Sequence, residues 1–249
     1  MRTAFVAGVT LTLLLGACAS RPAPAIAVSS PSPSPSQLDG CVNPGDGVPA
    51  ELRESEITTV TAIMLGTGTR GVVLTPEHGG TICQWLPFGR TLAGQGYHVL
   101  IWDPGLDPVS EIGYFTGVLR AAGANHVVLV GASNGANIAT FGAARVSPPV
   151  DGLAWLSGED VLYVAGKDAR PVSEAAGQVV VPVLFIAAQD DPMRCAYVAD
   201  ELAKLMPAKQ KRVLVVPGDK HGVALLSGDS RSVVTPALTD FLDIHTASS

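Results

Sequence analysis

The chain has 249 residues, enough for one large domain or two small ones. Apolar residues make up 47% of the sequence and charged residues only 15%, a balance that excludes disorder for most of the chain. The net charge of -6 at pH 7 argues against nucleic acid or an anionic lipid surface held by general electrostatics, because such binding needs a surplus of Lys and Arg.

Residues 1–17 have the plan of a secretory signal peptide. Arg2 supplies the positive charge, Leu11 to Leu15 supply the apolar core, and small residues follow. This stretch ends in the letters LGAC, whose cysteine is Cys18, and it resembles the bacterial lipobox, in which the cysteine is lipidated and becomes the first residue of the mature protein. The alternative is an ordinary cleaved signal before a chance cysteine. The resemblance implies an extracytoplasmic protein held at the cell membrane by a lipid anchor.

Residues 18–40 are expected to form a tether. Pro, Ser and Ala dominate the stretch from Ala19 to Gln37, which therefore cannot bury apolar surface and favours an extended, partly polyproline II chain. Such a segment would hold a domain away from a membrane. O-glycosylation or simple disorder would account for the composition equally well.

Residues 41–246 have the pattern of one domain of alternating strands and helices. Several predicted strands are nearly continuous apolar runs, as expected for a mostly parallel sheet covered on both faces. The first two strands are joined through Gly66 to Thr69, a hairpin-length turn, which predicts an antiparallel edge. The predicted strands are Ile57 to Leu65, Gly71 to Thr75, His98 to Trp102, His126 to Val130, Gly152 to Leu156, Val183 to Ala187 and Arg212 to Val216. The predicted helices are Cys83 to Gln95, Val109 to Ala122, Gly135 to Arg145, Pro192 to Leu205 and Arg231 to His245.

Ser133 is the candidate nucleophile. It is the serine of a G-x-S-x-G string, GASNG, that lies between a predicted strand and a predicted helix. Small residues two before and two after a serine let the backbones approach, so that the hydroxyl stands above the edge of the sheet. The string alone is weak evidence for a nucleophile. Its position between a predicted strand and a predicted helix favours a nucleophilic serine over a turn that only connects the two elements.

A general base and an acid are then needed. His221 lies on a loop after the last predicted strand, at the carboxyl edge of the sheet, whereas His98 and His126 lie at strand starts and His245 lies near the end of the chain. For the acid, Asp190 and Asp191 both follow the strand that ends at Ala187, with Asp160 as second choice and Asp103 as third.

From about Ile57 to Phe241, the chain resembles the α/β-hydrolase fold family. The order Ser133, acid, His221 is the family's order. The stretch from Ala187 to Pro192 is similar to the family's acid turn and singles out Asp191, and the stretch from Gly218 to Gly222 looks like its base loop. The resemblance implies a doubly wound, mostly parallel sheet. Only about 25 residues separate the strands at the family's usual insertion point, so no sizeable lid domain is expected.

The resemblance also implies an oxyanion hole. Its donors would be the N–H of Asn134, after the nucleophile, and one from the loop after the second strand. Where the family often has His-Gly, this chain has Pro76 and Glu77, with His78 displaced by two positions. His78 is assigned as the loop donor.

Three cysteines remain besides Cys18, and outside the cytosol two of them can pair. Cys83 follows the oxyanion loop and Cys195 follows the acid loop, so we expect these two to be bonded, with Cys41 to Cys83 as the alternative. A zinc site is disfavoured, because no close pair of cysteines or histidines accompanies them.

The sequence thus predicts a bacterial, membrane-anchored serine hydrolase of the carboxylesterase kind that cleaves small esters through an acyl-enzyme. No metal or organic cofactor is required, and no nucleic acid is expected to bind. The alternatives are a non-catalytic surface lipoprotein that uses the fold for ligand or partner binding, and a cytosolic enzyme with a chance hydrophobic leader.

Overall fold

A computed structural model describes residues 40–247. The predicted signal peptide, Cys18 and all but the last residue of the tether lie outside these residues. Within residues 40–247, no helix is both long enough and apolar enough to cross a membrane.

Eight strands form one sheet. The strands that precede Ser133, Asp191 and His221 lie in the same half of this sheet. The order is β1-β2-β4-β3-β5-β6-β9-β10. The first pairings, β1 with β2 and β2 with β4, are antiparallel, and the others are parallel. The strands of this sheet are β1 (Val48–Arg53), β2 (Thr59–Leu65), β3 (Arg70–Thr75), β4 (His98–Trp102), β5 (His126–Ala132), β6 (Gly152–Leu156), β9 (Val183–Ala188) and β10 (Lys211–Val216).

Helices cover both faces of the sheet. The central strand β5 shows why, since Val127 and Leu129 are buried against one layer while Val128 and Val130 are buried against the other. A strand with apolar residues at successive positions needs cover on each side. One face carries α2 (Pro108–Ala121), α3 (Asn134–Arg145), α4 (Ser173–Ala176) and α5 (Cys195–Leu205), and the other carries α1 (Ile82–Gly94) and α6 (Arg231–Thr246). The prediction of a doubly wound, mostly parallel sheet is confirmed.

The connection from β6 to β9 contains no sizeable lid, as predicted. Its regular structure is α4 and a two-stranded antiparallel pair, β7 (Val161–Leu162) with β8 (Arg170–Pro171).

The predicted antiparallel edge is confirmed, but the hairpin expected between the first two predicted strands is wrong. β2 and β3 do not pair, because β4 lies between them, and Val99 of β4 is opposite Leu65 on one side and Val72 on the other. Strands two places apart in a sheet are separated by about 9.6 Å, and four extended residues reach about 13 Å. A four-residue link can therefore pass over the end of an intervening strand.

The predicted disulfide between Cys83 and Cys195 is also wrong. Cys83 is bonded to Cys41, with the two Cα atoms 5.7 Å apart, and Cys195 is a buried free thiol. Cys83 lies on α1 and Cys195 begins α5, and these helices cover opposite faces of the sheet. Both residues do follow strands at the same edge, but the sheet separates them.

Candidate active site

Ser133 lies on a sharp turn between β5 and α3. Its backbone has φ 52° and ψ -126°, a conformation that a residue with a side chain adopts only when its surroundings hold it there. Its N–H donates to the carbonyl oxygen of Leu156 at 2.8 Å, which ties the turn to β6.

Two glycines allow this turn. A Cβ on Gly131 would lie 2.1 Å from the carbonyl oxygen of Gly135, and a Cβ on Gly135 would lie 2.3 Å from the carbonyl oxygen of Pro76. Both distances are far inside van der Waals contact. The small residues predicted around the nucleophile are therefore needed for close approach of the backbone to itself and to the loop after β3.

His221 and Asp191 are in direct contact at the ends of β10 and β9. His221 Nδ1 lies 2.9 Å from Asp191 Oδ2, and the Asp191 side chain is fully buried. Asp191 Oδ1 accepts a hydrogen bond from the N–H of Met193. Because a carboxylate only accepts, Nδ1 carries the proton and Nε2 is left with the lone pair that a general base needs.

The other candidate carboxylates lie elsewhere. Asp190 and Asp160 are exposed. Asp103 accepts a hydrogen bond from the N–H of Ile82 at the start of α1. Of the four aspartates considered from the sequence, Asp191 is the one that contacts His221.

Ser133 and His221, the candidate nucleophile and base, lie at the same edge of the sheet without a hydrogen bond between their side chains. The hydrogen bonds of residues 40–247 include the one between His221 and Asp191 but none between the Ser133 hydroxyl and the His221 ring. Catalytic hydrogen bonds often tighten only when substrate is bound.

His78 and Asn134, the expected oxyanion donors, both line one cleft with a volume of about 140 Å³. Asn134 is the first residue of α3, so its N–H has no acceptor within the helix. On the facing loop, Pro76 has no N–H and the N–H of Glu77 donates to Gln84 Oε1. His78 is therefore the first residue after β3 that has an N–H group and does not donate it to Gln84.

Glu77, which we did not identify from the sequence, joins the oxyanion loop to the base loop. Its Oε1 accepts from the N–H of Val223 at 2.7 Å, and its Oε2 accepts from Gln84 Nε2 at 2.7 Å. A Cβ on Gly222 would lie 1.9 Å from Glu77 Oε1. The glycine after His221 thus makes room for the carboxylate that holds this loop.

Glu159 is a second carboxylate that we did not identify from the sequence. It lies three residues beyond β6, and its N–H donates to Asn137 Oδ1 of α3 at 3.2 Å. Burial raises the pKa of the Glu159 carboxyl, and the positive charge of His221 opposes that shift. The signal that points to it is its position at the carboxyl end of a central strand.

Cys195 packs against Asp191 and His221. Its Sγ lies 3.8 Å from His221 Nδ1 and donates to the carbonyl oxygen of Ser157 at 3.4 Å. These three side chains place potential metal ligands within 4.8 Å of one another. Burial, and then the Asp191 charge, raise the pKa of the thiol, so Cys195 packs against the two side chains as a neutral group.

Comparison with solved structures shows which fold this is. No protein-family model matches the chain, and no curated protein matches it. An esterase from Pyrococcus furiosus superposes with a TM-score of 0.68 at 12% identity, covering 81% of this chain and 92% of that one. Est1E from Butyrivibrio proteoclasticus has a TM-score of 0.63 at 14% identity, covering 81% and 100%. Alpha/beta hydrolase domain-containing protein 10 from mouse has a TM-score of 0.60 at 14% identity, covering 79% and 98%.

Proposed function

Because the chain has the α/β-hydrolase fold, we propose that it is a serine hydrolase that cleaves small carboxylic esters, with Ser133 as nucleophile, His221 as base and Asp191 as acid. One observation carries the proposal. The buried Asp191 carboxylate holds the His221 ring, and Ser133 stands on a strained turn at the same edge of the sheet.

The reaction follows the order of these groups. The Ser133 Oγ attacks the ester carbonyl carbon while His221 Nε2 takes the hydroxyl proton, and the charged imidazole is stabilised by Asp191. The negative oxygen of the tetrahedral intermediate accepts from the N–H groups of Asn134 and His78. The C–O bond to the alcohol then breaks, and the alcohol leaves with the proton from His221. Water repeats the sequence and releases the acid.

Solved structures with this fold include esterases, such as the one from Pyrococcus furiosus, and Est1E is also known with ferulic acid bound. These likenesses support an ester substrate. Amides and thioesters share the same tetrahedral chemistry, so substrate choice depends on the groups around Ser133.

We also propose that the protein is extracytoplasmic and anchored to a membrane through a lipid on Cys18. The support is the charge, apolar core and LGAC ending of the first 18 residues, followed by a Pro/Ser-rich stretch.

The test is a panel of p-nitrophenyl esters of increasing acyl length, run with the full chain in detergent beside Ser133→Ala. We expect hydrolysis of the shortest esters by the parent and its loss in the variant. Labelling by a fluorophosphonate probe that requires Ser133 would show an activated serine. A folded protein that neither turns over any ester nor takes up the probe would favour a surface lipoprotein that only binds.

A further inference from the structure

Three different kinds of metal-ligating side chain meet beyond the ends of β9 and β10. They are the Asp191 carboxylate, the Cys195 thiol and the His221 imidazole, and their ligand atoms all lie within 4.8 Å of one another. His221 Nδ1 lies 2.9 Å from Asp191 Oδ2 and 3.8 Å from Cys195 Sγ. The reaction described above uses the carboxylate and the imidazole and gives the thiol no role.

The spacing of these atoms is close to that of a zinc site. A tetrahedral Zn²⁺ forms bonds of about 2.3 Å to sulfur and about 2.0 to 2.2 Å to nitrogen or oxygen, which places its ligand atoms about 3.3 to 3.6 Å apart. The distance from Nδ1 to Oδ2 must lengthen from 2.9 Å and that from Nδ1 to Sγ must shorten from 3.8 Å. Each change is less than about half an ångström, so no backbone rearrangement is required.

The turn between β9 and α5 holds two of the three ligands in place. The N–H of Arg194 donates to the carbonyl oxygen of Asp191 at 2.8 Å, and Asp191 Oδ1 accepts from the N–H of Met193 at 3.0 Å. Cys195 follows as the first residue of α5. Asp191 and Cys195 are buried, whereas the His221 side chain is 28% exposed. The cluster therefore has two fixed ligands and one ligand within reach of solvent.

The types of ligand favour Zn²⁺ over the hard cations. Thiolate and imidazole suit zinc, whereas Mg²⁺ and Ca²⁺ take oxygen ligands. Three protein ligands leave one position of a tetrahedral shell for water. Cys195 and His221 are 26 positions apart in the chain, so this cluster has no local sequence motif, and the sequence pattern disfavoured zinc for that reason.

We propose that Asp191, Cys195 and His221 bind one Zn²⁺ ion and that the bound ion abolishes the proposed hydrolysis. Bonds form from the metal to Cys195 Sγ, His221 Nδ1 and one Asp191 oxygen, and the thiol proton passes to solvent. The hydrogen bond between Nδ1 and the carboxylate breaks, and the ring proton is relocated through solvent to Nε2, because a neutral imidazole carries one proton. Nε2 then has no lone pair to accept the Ser133 proton. The inhibition rests on the proposed function, whereas the binding of metal does not.

Cobalt(II) tests the binding without an assay of activity. The full chain in detergent, free of metal and of reductant, is titrated with Co²⁺, whose thiolate complexes absorb in the near ultraviolet. We expect an absorption band that saturates at one equivalent and disappears when Zn²⁺ is added. Cys18→Ser should keep the band, because Cys41 and Cys83 are bonded to each other and Cys195 is then the one free thiol among the four cysteines of the chain. Cys195→Ser should lose it.

Inhibition by zinc tests the effect on the base. Zn²⁺ should inhibit hydrolysis of a p-nitrophenyl ester and block fluorophosphonate labelling of Ser133, EDTA should reverse both effects, and equal concentrations of Mg²⁺ or Ca²⁺ should cause neither. Cys195→Ser replaces the thiolate by a harder, neutral oxygen and should raise the inhibition constant for Zn²⁺ at least about tenfold. The matched control, Asp190→Asn, removes an exposed carboxylate beside Asp191 and should change that constant less than about threefold, because exposed charges are screened. The comparison remains valid if Cys195→Ser alters kcat, since each variant is measured against its own rate without zinc.

The outcomes separate the metal site from the hydrolase proposal. A missing cobalt band in the parent and in Cys18→Ser, or an unchanged inhibition constant in Cys195→Ser, would overturn the site. A cobalt band with full hydrolysis at saturating Zn²⁺ would overturn the effect on the base. If Cys195→Ser does not fold, the band in Cys18→Ser assigns the site to Cys195. A protein that shows the band but, free of metal, neither hydrolyses an ester nor takes up the fluorophosphonate would support the site and count against the hydrolase proposal.

Discussion

Ser133 is one of three residues other than glycine, among residues 40–247, whose backbone has a positive φ. Its positive φ costs about 1 to 3 kcal/mol for a residue with a side chain. The bond from its N–H to Leu156 and the close approach of Gly135 to the carbonyl of Pro76 hold it in place. The same contacts bring the turn against the loop after β3, which carries His78. The strained backbone thus accompanies the close approach of Ser133 to the proposed oxyanion donors.

The roles of the three proposed catalytic residues can be separated by substitution. Ser133→Ala and His221→Ala should each lower kcat by about 10⁶-fold, and Asp191→Asn by about 10²- to 10⁴-fold, because the serine and base remain when only the orienting acid is lost. The measurement is kcat for a p-nitrophenyl ester. Asp190→Asn is the matched control, since it neutralises an exposed neighbour whose N–H, not its carboxylate, makes the local contact to Gly218. A larger loss from Asp190→Asn than from Asp191→Asn would show that the acid is misassigned.

Glu77 should act as a positioning residue. Glu77→Ala removes both acceptors that hold Val223 and Gln84, so the His221 loop loses its link to the oxyanion loop. We expect kcat to fall by about 10- to 100-fold with a smaller change in KM, since misplacement of the base affects the chemical step. Glu77→Gln, which keeps one acceptor oxygen, should retain more activity than Glu77→Ala. Melting temperatures of both variants separate this effect from general destabilisation.

The control for Glu77 is Glu174→Ala, an exposed glutamate whose partner is Arg170. It should leave kcat unchanged. A Glu77→Ala enzyme with the parent's kcat would mean that the base loop holds its position without this carboxylate.

At the scale of elements, the turn before α2 is held by a pair of carboxylates. Glu111, which is 1% exposed, accepts from the N–H groups of Gly105 and Asp107, and Glu54 accepts from those of Leu106 and Asp107. Burial, and then its hydrogen bond with Glu54, raise the pKa of Glu111 to about 7, while the same bond lowers the pKa of Glu54. The two carboxylates therefore share one proton near neutral pH.

This pair predicts a pH dependence of stability. A carboxyl whose pKa is raised in the folded state binds a proton that the unfolded chain has already lost, so the free energy of unfolding falls as pH rises from about 4.5 to about 7. Glu111→Gln keeps a neutral side chain and removes this titration. The melting temperature of the variant relative to the parent should rise between pH 5 and pH 8, by about 2 to 4 °C for a difference on the order of 1 kcal/mol. A constant difference across that range would show that Glu111 does not hold the extra proton.

Sequence patterns predicted the central elements well and the edge poorly. β4 and β6 have the predicted bounds, because each is a run of five buried residues that are all apolar except His98. β1 was not predicted, since Val48–Arg53 is a half-buried strand with a proline and two charged residues. The pairing of β2 with β4 rather than β3 depends on contacts between distant parts of the chain, which loop length does not determine.

The same distinction applies to the site. Ser133 and His221 were proposed from local patterns and from the rule that parallel strands end at one edge, whereas resemblance to the α/β-hydrolase family singled out Asp191 over Asp190. Glu77 could not be found in this way, because its bond to Val223 joins residues 146 positions apart. Glu159 lies at an edge position that the rule does indicate, yet only the sheet order shows that β6 lies between the nucleophile and the acid.

At the scale of the whole molecule, the first described residues are fastened to α1. Cys41 is bonded to Cys83 at the start of that helix, and Asp46 forms an ion pair with Arg90 at 2.6 Å. Cys83 follows the loop after β3, at the edge that carries Ser133. The beginning of the described chain is therefore fixed to α1 by one covalent bond and one ion pair.

The proposed membrane anchor should be separable from catalysis. The stretch of residues 18–40 separates Cys18 from the domain that carries Ser133, Asp191 and His221. Cys18→Ser removes the proposed lipidation site, so the protein should leave the membrane fraction while kcat/KM for a small soluble ester stays within about twofold of the parent. Ser20→Ala, a nearby substitution in the same stretch, should leave the protein in the membrane fraction. Cell fractionation and ester hydrolysis by the purified proteins give the two readings. A Cys18→Ser protein that stays with the membranes would show that Cys18 does not carry the anchor.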